Sequence, residues 1–154
     1  MRQPLTQSQS ILLVEDNEDD YEATCRAFKK ANLLNPVVWS QSGQDALDFL
    51  KHKGAHKEAS GSPRPGLILL DLNMPGMDGR MTLEAIKKDE ILKRIPVIIL
   101  TTSADERDID ACYQAGANTY VQKPVSFDGL IEAISRLKEY WFEIALLPKD
   151  AGRE

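Results

Sequence analysis

Cysteine is scarce in this sequence, and no long apolar run occurs anywhere along it. The two cysteines, Cys25 and Cys112, lack the close spacing of metal ligands and lie in segments with helical periodicity, so we predict buried free thiols. No apolar run approaches the roughly 20 residues that a membrane-spanning helix requires. No apolar stretch precedes Ile11, so we expect no secretory leader, and a cytoplasmic protein without a membrane partner.

Positive charge is also in short supply. The chain has 19 lysines and arginines against 24 aspartates and glutamates, and its formal net charge at pH 7 is -5. Proteins that bind nucleic acids present a basic surface that displaces counterions from the phosphates, so we expect no nucleic-acid partner. The length of 154 residues, with 42% hydrophobic and 28% charged residues, is typical of one globular domain with a sizeable core.

Five short apolar runs alternate with segments of helical periodicity. Three of the runs, ILLV, LILL and VIIL, are apolar throughout, which is typical of parallel strands that are buried on both faces. The strict alternation predicts a doubly wound α/β fold with five parallel strands and right-handed crossovers. The predicted strands are Ile11–Val14, Pro36–Ser40, Leu67–Leu70, Pro96–Leu100 and Asn118–Val121.

Local signals place one loop and several helix ends. The segment 51–66, KHKGAHKEASGSPRPG, is polar and rich in glycine, serine and proline, so we predict an exposed loop before the third strand. Its histidines, His52 and His56, have no third ligand beside them and are interpreted as surface residues. The predicted helix N-caps are Ser42 (with Asp45), Ser103 (with Glu106) and Ser126, and Gly116 is a predicted helix C-terminus.

Residues suited to phosphoryl chemistry follow four of the five predicted strands. In open parallel sheets the chemistry gathers at the carboxyl ends of the strands, so we expect these side chains to meet. Taken singly, Asp71 could be a turn residue, Lys123 a solvated surface residue and Thr101 an ordinary strand-end residue, but their joint placement favours a site. The candidates are Glu15 and Asp16 after the first strand, Asp71 after the third, Thr101 and Thr102 after the fourth, and Lys123 after the fifth.

The end of the first strand is strongly acidic. Six of the eight residues from Glu15 to Glu22 are acidic. A loop that cradles a phosphate or a flavin is instead rich in glycine, serine or threonine and leaves backbone N–H groups free, so a flavodoxin-like cofactor protein is disfavoured. Converging carboxylates need a positive counter-charge, and Mg²⁺ prefers hard oxygen ligands while it keeps positions open for water and phosphoryl oxygens. The acidic segment therefore predicts a Mg²⁺ site.

Four segments of the chain resemble the receiver domain of two-component response regulators. They are ILLVEDN, LILLDLNMPGMDG, IPVIILTTS and GANTYVQKP, and the resemblance covers about residues 10–140. It implies a flavodoxin-like (βα)5 fold and a phosphoryl group that a sensor histidine kinase transfers to Asp71. It implies no enzymatic activity beyond the protein's own phosphorylation and dephosphorylation. A metal-dependent aspartyl-phosphate hydrolase would carry a second catalytic aspartate where Asn73 stands.

The same resemblance implies a role for each candidate residue. Many members of the family carry two aspartates at the positions of Glu15 and Asp16, and the Glu-Asp pair is a common variant that keeps the metal. In the implied arrangement, Asp16, Asp71 and the backbone carbonyl of Asn73 ligate Mg²⁺ directly, and Glu15 ligates it through water. Lys123 pairs with a phosphoryl oxygen and precedes a cis bond to Pro124. Thr101 and Tyr120 form the switch, and Asn73 and Thr102 tune the lifetime of the phosphorylated state.

The C-terminal segment FDGLIEAISRLKEYWFEIALL differs from an ordinary receiver end. As one helix over 127–147 it would span about 30 Å at 1.5 Å per residue, which exceeds a strand of about 17–20 Å. Its last turns are apolar nearly all round, and an exposed apolar end marks an interface. We predict a homodimer through the fourth helix, fifth strand and fifth helix, with Trp141, Phe142 and Leu146 at the contact. The alternative is that Trp141 packs inside the monomer.

The predicted organisation is a flexible N-terminus (1–9), a receiver domain (10–147) and a tail (148–154). Because only the tail follows the last helix, we expect a stand-alone receiver that signals through protein contacts. The pattern KRIPVIILTTS, the aromatic helix end and the long loop before LILLDLN resemble the small response regulators of cyanobacterial and bacterial phytochromes, which implies a phytochrome-type light-sensing kinase as partner. The alternative is a phosphorelay intermediate or phosphate sink for another kinase.

Overall fold

Five parallel strands form one sheet in the order β2-β1-β3-β4-β5, as predicted for a doubly wound fold. The structure is a computed structural model that describes residues 9–53, 64–74 and 76–144. Most of the predicted loop 51–66, with His56, lies outside these residues, as do residues 1–8, Leu146 and the tail 148–154. The strands are β1 (Ile11–Val14), β2 (Val37–Ser40), β3 (Leu67–Leu70), β4 (Val97–Thr101) and β5 (Thr119–Gln122).

Two of the strand predictions are confirmed to the residue, and three differ by one position. β1 and β3 have the predicted bounds, β2 begins one residue late, and β4 and β5 are each shifted by one residue. Pro36 and Pro96 have no N–H to give to the sheet, which excludes them from β2 and β4. Each still accepts a hydrogen bond through its carbonyl oxygen, from the N–H of Ile11 at 2.9 Å and of Ile68 at 3.0 Å.

Most of the predicted helix ends are confirmed, and one N-cap is wrong. The Ser42 and Ser126 side chains cap their helices, and Gly116 follows a helix with φ of 105°, a conformation open to glycine. Ser103 does not cap, because Asp105 lies nearer the helix and its side chain accepts from the N–H of Arg107. The helices are α1 (Glu18–Lys30), α2 (Gly43–Lys51), α3 (Gly79–Lys88), α4 (Glu106–Gln114) and α5 (Phe127–Glu139), with a 3-10 turn at Leu92–Arg94 and a π-helical turn at Tyr140–Ile144.

Alternate residues of the central strands enter two separate cores. Leu12 and Val14 of β1 face the core formed with α2, α3 and α4. Ile11 and Leu13 face the core formed with α1 and α5. Because successive strand side chains point to opposite faces, both faces of β1 and β3 are covered, and the polar residues that follow these strands are left at one edge of the sheet. Among the described residues, no helix is long and apolar enough to cross a membrane.

The C-terminal helix extends past α5, as predicted, but changes its geometry. The chain stays helical through Ile144, with a π-helical turn after Glu139. Trp141 is only 6% exposed and belongs to the core on the α1 and α5 face, where Phe142 also packs. Trp141 therefore packs inside the monomer, which is the alternative considered above, and it offers little surface to a second chain.

Candidate functional site

Three carboxylates meet at the carboxyl edge of the sheet, as the strand-end argument predicts. Glu15, Asp16 and Asp71 each offer a ligand oxygen, and these atoms all lie within 4.8 Å of one another. Glu15 and Asp71 are buried, at 2% and 8% exposure, whereas Asp16 is exposed. A cluster of hard oxygen donors that is open to solvent on one side fits a small divalent cation with water among its ligands.

The sheet itself places these residues side by side. The Asp71 N–H donates to the carbonyl oxygen of Val14 at 3.1 Å, and the Glu15 N–H donates to that of Ser40 at 3.0 Å. Each bond continues the parallel ladder one residue beyond the end of a strand. Because β1 lies between β2 and β3, the first acidic pair and Asp71 are brought to neighbouring positions.

Lys123 enters the same cluster from the loop after β5. Its Nζ lies 2.6 Å from Glu15 Oε1, 3.6 Å from Asp71 Oδ2 and 3.7 Å from Asp20 Oδ2. The Lys123 N–H donates to the carbonyl oxygen of Thr101 at 2.6 Å, which holds the loop against β4. The side chain is 13% exposed. The site therefore contains a fixed positive charge within reach of Asp71.

The expected cis bond between Lys123 and Pro124 is wrong. No peptide bond among the described residues is cis. A trans bond before proline is the more stable form by about 0.5–1 kcal/mol unless the surroundings override it. Here the lysine reaches its carboxylate partners with the trans bond, so its placement does not require the cis form.

Burial and charge act against each other at this edge. Burial raises the pKa of Glu15 to about 7, although the hydrogen bond from Lys123 opposes the shift. Burial lowers the pKa of Lys123, but the hydrogen bond to Glu15 and the charges of Asp71, Glu15 and Asp20 outweigh it, so its pKa is raised overall and the ammonium group stays charged. One ammonium group faces several carboxylates, and a divalent cation would balance the remaining negative charge.

The fourth strand contributes a buried hydroxyl beside Asp71. Thr101 is fully buried, and its Oγ1 accepts from Asn73 Nδ2 at 3.4 Å. The Asn73 N–H donates to Asp71 Oδ1 at 3.3 Å, so the three residues form a chain of contacts. Thr102 is exposed beyond the end of β4. The fold thus links Asn73 and Thr101 to Asp71.

Tyr120, in β5, lies on the side of the sheet that faces α2, α3 and α4. Its side chain is partly buried against the core formed with α2, α3 and α4. Its hydroxyl donates to the carbonyl oxygen of Ser103 at 2.9 Å, in the loop between Thr101 and α4. Thr101 lies directly before this short loop and Tyr120 is hydrogen-bonded to it, so a shift of either residue would move the loop.

Two residues that contact the site were not predicted individually from the sequence. Asp20 lies within the acidic segment and faces Lys123 from the first turn of α1. Trp39, in β2, donates its indole N–H to the Glu15 carbonyl oxygen at 2.7 Å. The acidic segment was a signal for Asp20, whereas a tryptophan in an edge strand gives no sign of the carbonyl that it reaches.

Comparison with known proteins gives one family over nearly the whole chain. The family model described as the response regulator receiver domain matches residues 11–135. The response regulator Rcp1 of Synechocystis sp. is 39% identical over 138 residues, which are 90% of this chain and 92% of Rcp1. The probable methanogenesis regulatory protein FilR2 of Methanothrix harundinacea is 39% identical over 132 residues, 85% of this chain and 82% of FilR2.

Solved structures show the same fold. The phosphorylated cyanobacterial phytochrome response regulator RcpA is 37% identical, with a TM-score of 0.84 and coverage of 92% of this chain and 99% of RcpA. A structure of the Mn²⁺-bound form of Rcp1 is 38% identical, with a TM-score of 0.81 and coverage of 91% and 99%. These likenesses confirm the five-stranded parallel fold that the sequence predicts.

Proposed function

Since the chain belongs to the response regulator receiver domain family, we propose that Asp71 accepts a phosphoryl group from a sensor histidine kinase, with Mg²⁺ bound beside it. The observation that carries the proposal is the placement of Lys123 Nζ 3.6 Å from Asp71 Oδ2, within a cluster of three carboxylates. A buried aspartate between a fixed cation and a divalent-cation site is suited to receive a phosphoryl group, because both positive charges oppose the charge on its oxygens.

The residues of the cluster divide the work by their chemistry. Asp16 and Asp71 would ligate Mg²⁺ directly with the backbone carbonyl of Asn73, and Glu15 would act through water. When bound, the ion neutralises charge on the oxygens of the phosphoryl group. The Asp71 carboxylate attacks the phosphorus of a phosphohistidine in line, so that a new O–P bond forms as the N–P bond breaks. Lys123 then pairs with a phosphoryl oxygen.

The new group changes the charge and the hydrogen bonding around Thr101. A phosphoryl group adds negative charge and acceptor oxygens, and the Thr101 hydroxyl can leave Asn73 and donate to one of them. The loop after β4 is bonded to the Tyr120 hydroxyl through Ser103, so a shift at Thr101 reaches Tyr120 and the surface of α4, β5 and α5. Asn73 and Thr102 flank the phosphoryl group and would tune its lifetime.

Replacement of the phosphoacceptor tests the assignment. We expect Asp71→Asn to abolish phosphorylation by acetyl phosphate in the presence of Mg²⁺, because the amide keeps the shape and loses the nucleophilic charge. Asp128→Asn, which alters an exposed aspartate in the first turn of α5, is the matched control. Intact-protein mass spectrometry measures both. Full incorporation by Asp71→Asn would refute the proposal.

A second variant tests the cation. We expect Asp16→Ala to weaken Mg²⁺ binding strongly and to slow phosphorylation, because a ligand oxygen is lost. Asp19→Ala removes a nearby exposed charge of α1 and controls for the local potential. Calorimetric titration with MgCl₂ gives both affinities, and equal affinity for wild type and Asp16→Ala would place the cation elsewhere.

The partner kinase is proposed from the relatives. RcpA is a cyanobacterial phytochrome response regulator, so we favour a phytochrome-type kinase, which would place the chain in the cytoplasm. FilR2 is a probable methanogenesis regulator, and a relay or phosphate-sink role with another kinase is the alternative. Phosphotransfer rates from a panel of purified kinases of the same genome decide. The phytochrome assignment fails if another kinase is clearly preferred.

A homodimer through α4, β5 and α5 stays a prediction, on a narrower basis than the sequence suggested. Trp141 is buried in the monomer, but Tyr113 of α4 is 49% exposed and Tyr140, after α5, is 50% exposed. Phe142 packs against the core on the α1 and α5 face and keeps partial exposure. We expect Phe142→Glu to weaken self-association, whereas Ile91→Glu, at an exposed residue after α3, leaves it unchanged. Sedimentation velocity tests this in both phosphorylation states, and a monomeric wild type in both contradicts the dimer.

A further inference from the structure

We infer that Trp39 is a positioning residue for the loop that carries Glu15 and Asp16, and that it acts through its indole N–H. This inference rests on the proposed cation site and adds a residue that supports the site from the edge of the sheet. Trp39 lies in β2, opposite Leu13 of β1 in the parallel register. It is close to the loop in space and remote from it in sequence.

The contact that carries the inference goes to the backbone. The indole Nε1 of Trp39 donates to the Glu15 carbonyl oxygen at 2.7 Å. The preceding backbone group, the Glu15 N–H, is held by the Ser40 carbonyl oxygen at 3.0 Å. β2 ends at Ser40, so the next carbonyl along β1 receives its hydrogen bond from a side chain instead of from the sheet ladder.

Trp39 is itself held in place by the helix that follows the loop. Its ring stacks on the ring of Tyr21 in α1, with centroids 4.0 Å apart and an angle of 6° between the ring planes. Stacked aromatic pairs contribute beyond the area that they bury. The Tyr21 N–H in turn donates to the Asn17 carbonyl oxygen at 2.9 Å. The indole thus contacts the start of the loop, while its stacking partner is bonded to the end of the loop.

The planarity of the peptide group links this contact to the cation. The carbonyl of Glu15 and the N–H of Asp16 belong to one planar unit, so the hydrogen bond from Trp39 fixes the plane from which the Asp16 backbone continues. Asp16 is exposed, and little protein surrounds it to orient its carboxylate. Holding the preceding peptide plane therefore restricts where the Asp16 oxygen can lie relative to Asp71.

The chain contains a matched control in its other tryptophan. Trp141 is 6% exposed in the core, and in the part of the chain that the structure describes its Nε1 has no hydrogen-bond partner. Replacement of either indole by phenyl removes similar apolar bulk. Only Trp39→Phe removes a hydrogen bond to the cation-binding loop. A general effect of tryptophan loss on stability is thereby separated from a specific effect on the cation.

The test combines Mg²⁺ titration with NMR of the two indole N–H groups. We expect Trp39→Phe to weaken Mg²⁺ binding by about tenfold, near the lower end of the effects of outer-shell contacts to metal ligands. Trp141→Phe is expected to keep the wild-type affinity even if it lowers the melting temperature. In ¹⁵N-labelled wild type, the Trp39 indole signal is expected to shift during the MgCl₂ titration, while the Trp141 signal stays in place.

The test distinguishes a failure of the Trp39 positioning role from a failure of the proposed Mg²⁺ site. If wild type does not bind Mg²⁺, the proposed cation site fails first. If wild type binds Mg²⁺ but the Trp39 indole signal does not move, or Trp39→Phe binds as tightly as wild type, the positioning role is wrong. Should Trp39→Phe fail to fold, the titration of the wild-type signals still decides, with Trp141→Phe to assign them.

Discussion

Two partly buried lysines lie at opposite edges of the sheet, and only one of them faces carboxylates. Lys123, at the carboxyl edge, is surrounded by Glu15, Asp71 and Asp20. Lys87, at the end of α3, reaches the amino edge, and its partners among the described residues are neutral oxygens. Its Nζ donates to the carbonyl oxygens of Lys93 and Ile95, both at 3.1 Å, and to Asn118 Oδ1 at 3.3 Å.

The difference in partners gives the two lysines opposite pKa shifts. Burial lowers the pKa of Lys87 from its ordinary value of 10.5. Burial also acts against the charge of Lys123, but its carboxylate partners raise its pKa overall. Burial by itself therefore does not make a charged side chain a reactive site. The partners decide whether the lysine ties loops together or holds a charge for chemistry.

The largest expected effect separates the two lysines by function. We expect Lys123→Met to reduce the rate of phosphorylation by acetyl phosphate by about 100-fold or more, because the fixed charge beside Asp71 is lost. Lys87→Met is expected to be phosphorylated at the wild-type rate, because it contacts no residue of the site. Initial rates of phosphoprotein formation measure both variants. Similar losses in the two variants would remove the distinction.

The second effect is on stability, and here Lys87 matters. Methionine keeps most of the apolar stem and has no donor, so Lys87→Met leaves three oxygens without this partner. We expect a loss of about 2 kcal/mol in the free energy of unfolding. Lys88→Met, at the exposed neighbouring position, is expected to change little. Urea denaturation measures the difference, and equal stability of the two variants would show that the Lys87 contacts contribute nothing.

Much of the arrangement at the carboxyl edge of the sheet was predictable, because the strand order decides which residues meet there. Once five parallel strands are recognised, Asp71, Lys123 and the Glu15–Asp16 pair must share an edge, and the structure brings them together. Strand bounds were predictable to within one residue, since apolar runs and prolines mark them. Distances within the cluster were not, because they depend on how far the loops fold back over the strand ends.

The features that the sequence did not predict depend on contacts or element bounds that only the folded chain fixes. Trp39 reaches Glu15 because β2 pairs with β1, and no local pattern encodes that hydrogen bond. Trp141 follows Ile134 and Leu137 at helical spacing and packs with them in one core, but an apolar helix end does not show whether its own chain or a second chain covers it. The predicted Ser103 cap is wrong because α4 begins at Glu106, directly after Asp105, whose side chain accepts from the Arg107 N–H.

The stability that Lys87 contributes is expected to depend on pH. Its pKa in the folded protein lies below 10.5, so between that lowered pKa and 10.5 the unfolded chain binds more protons than the folded one. Stability contributed by this group therefore rises with pH in that window. We expect the stability advantage of wild type over Lys87→Met to grow as pH rises toward 10.5. Lys88→Met supplies the control, and a constant or shrinking advantage would contradict the sign.

The smallest expected signal comes from the buried thiol of Cys112. Burial raises the pKa of the Cys112 thiol to about 11, with the charge of Asp108 adding to the shift. The thiolate is the reactive form, so at pH 8 only about one Cys112 in a thousand would be ready to react, and the side chain is fully buried as well. Cys25, on α1, is partly exposed.

We therefore expect iodoacetamide to modify Cys25 in the folded protein while Cys112 stays unmodified. In denaturant both thiols are expected to react, because burial is then lost. Peptide mass spectrometry after timed labelling separates the two sites, and Cys25→Ser gives a protein in which only Cys112 can report. If Cys112 is alkylated in the folded protein as fast as Cys25, its core position opens far more readily than its burial implies. The idea that burial keeps this thiol unreactive would then fail.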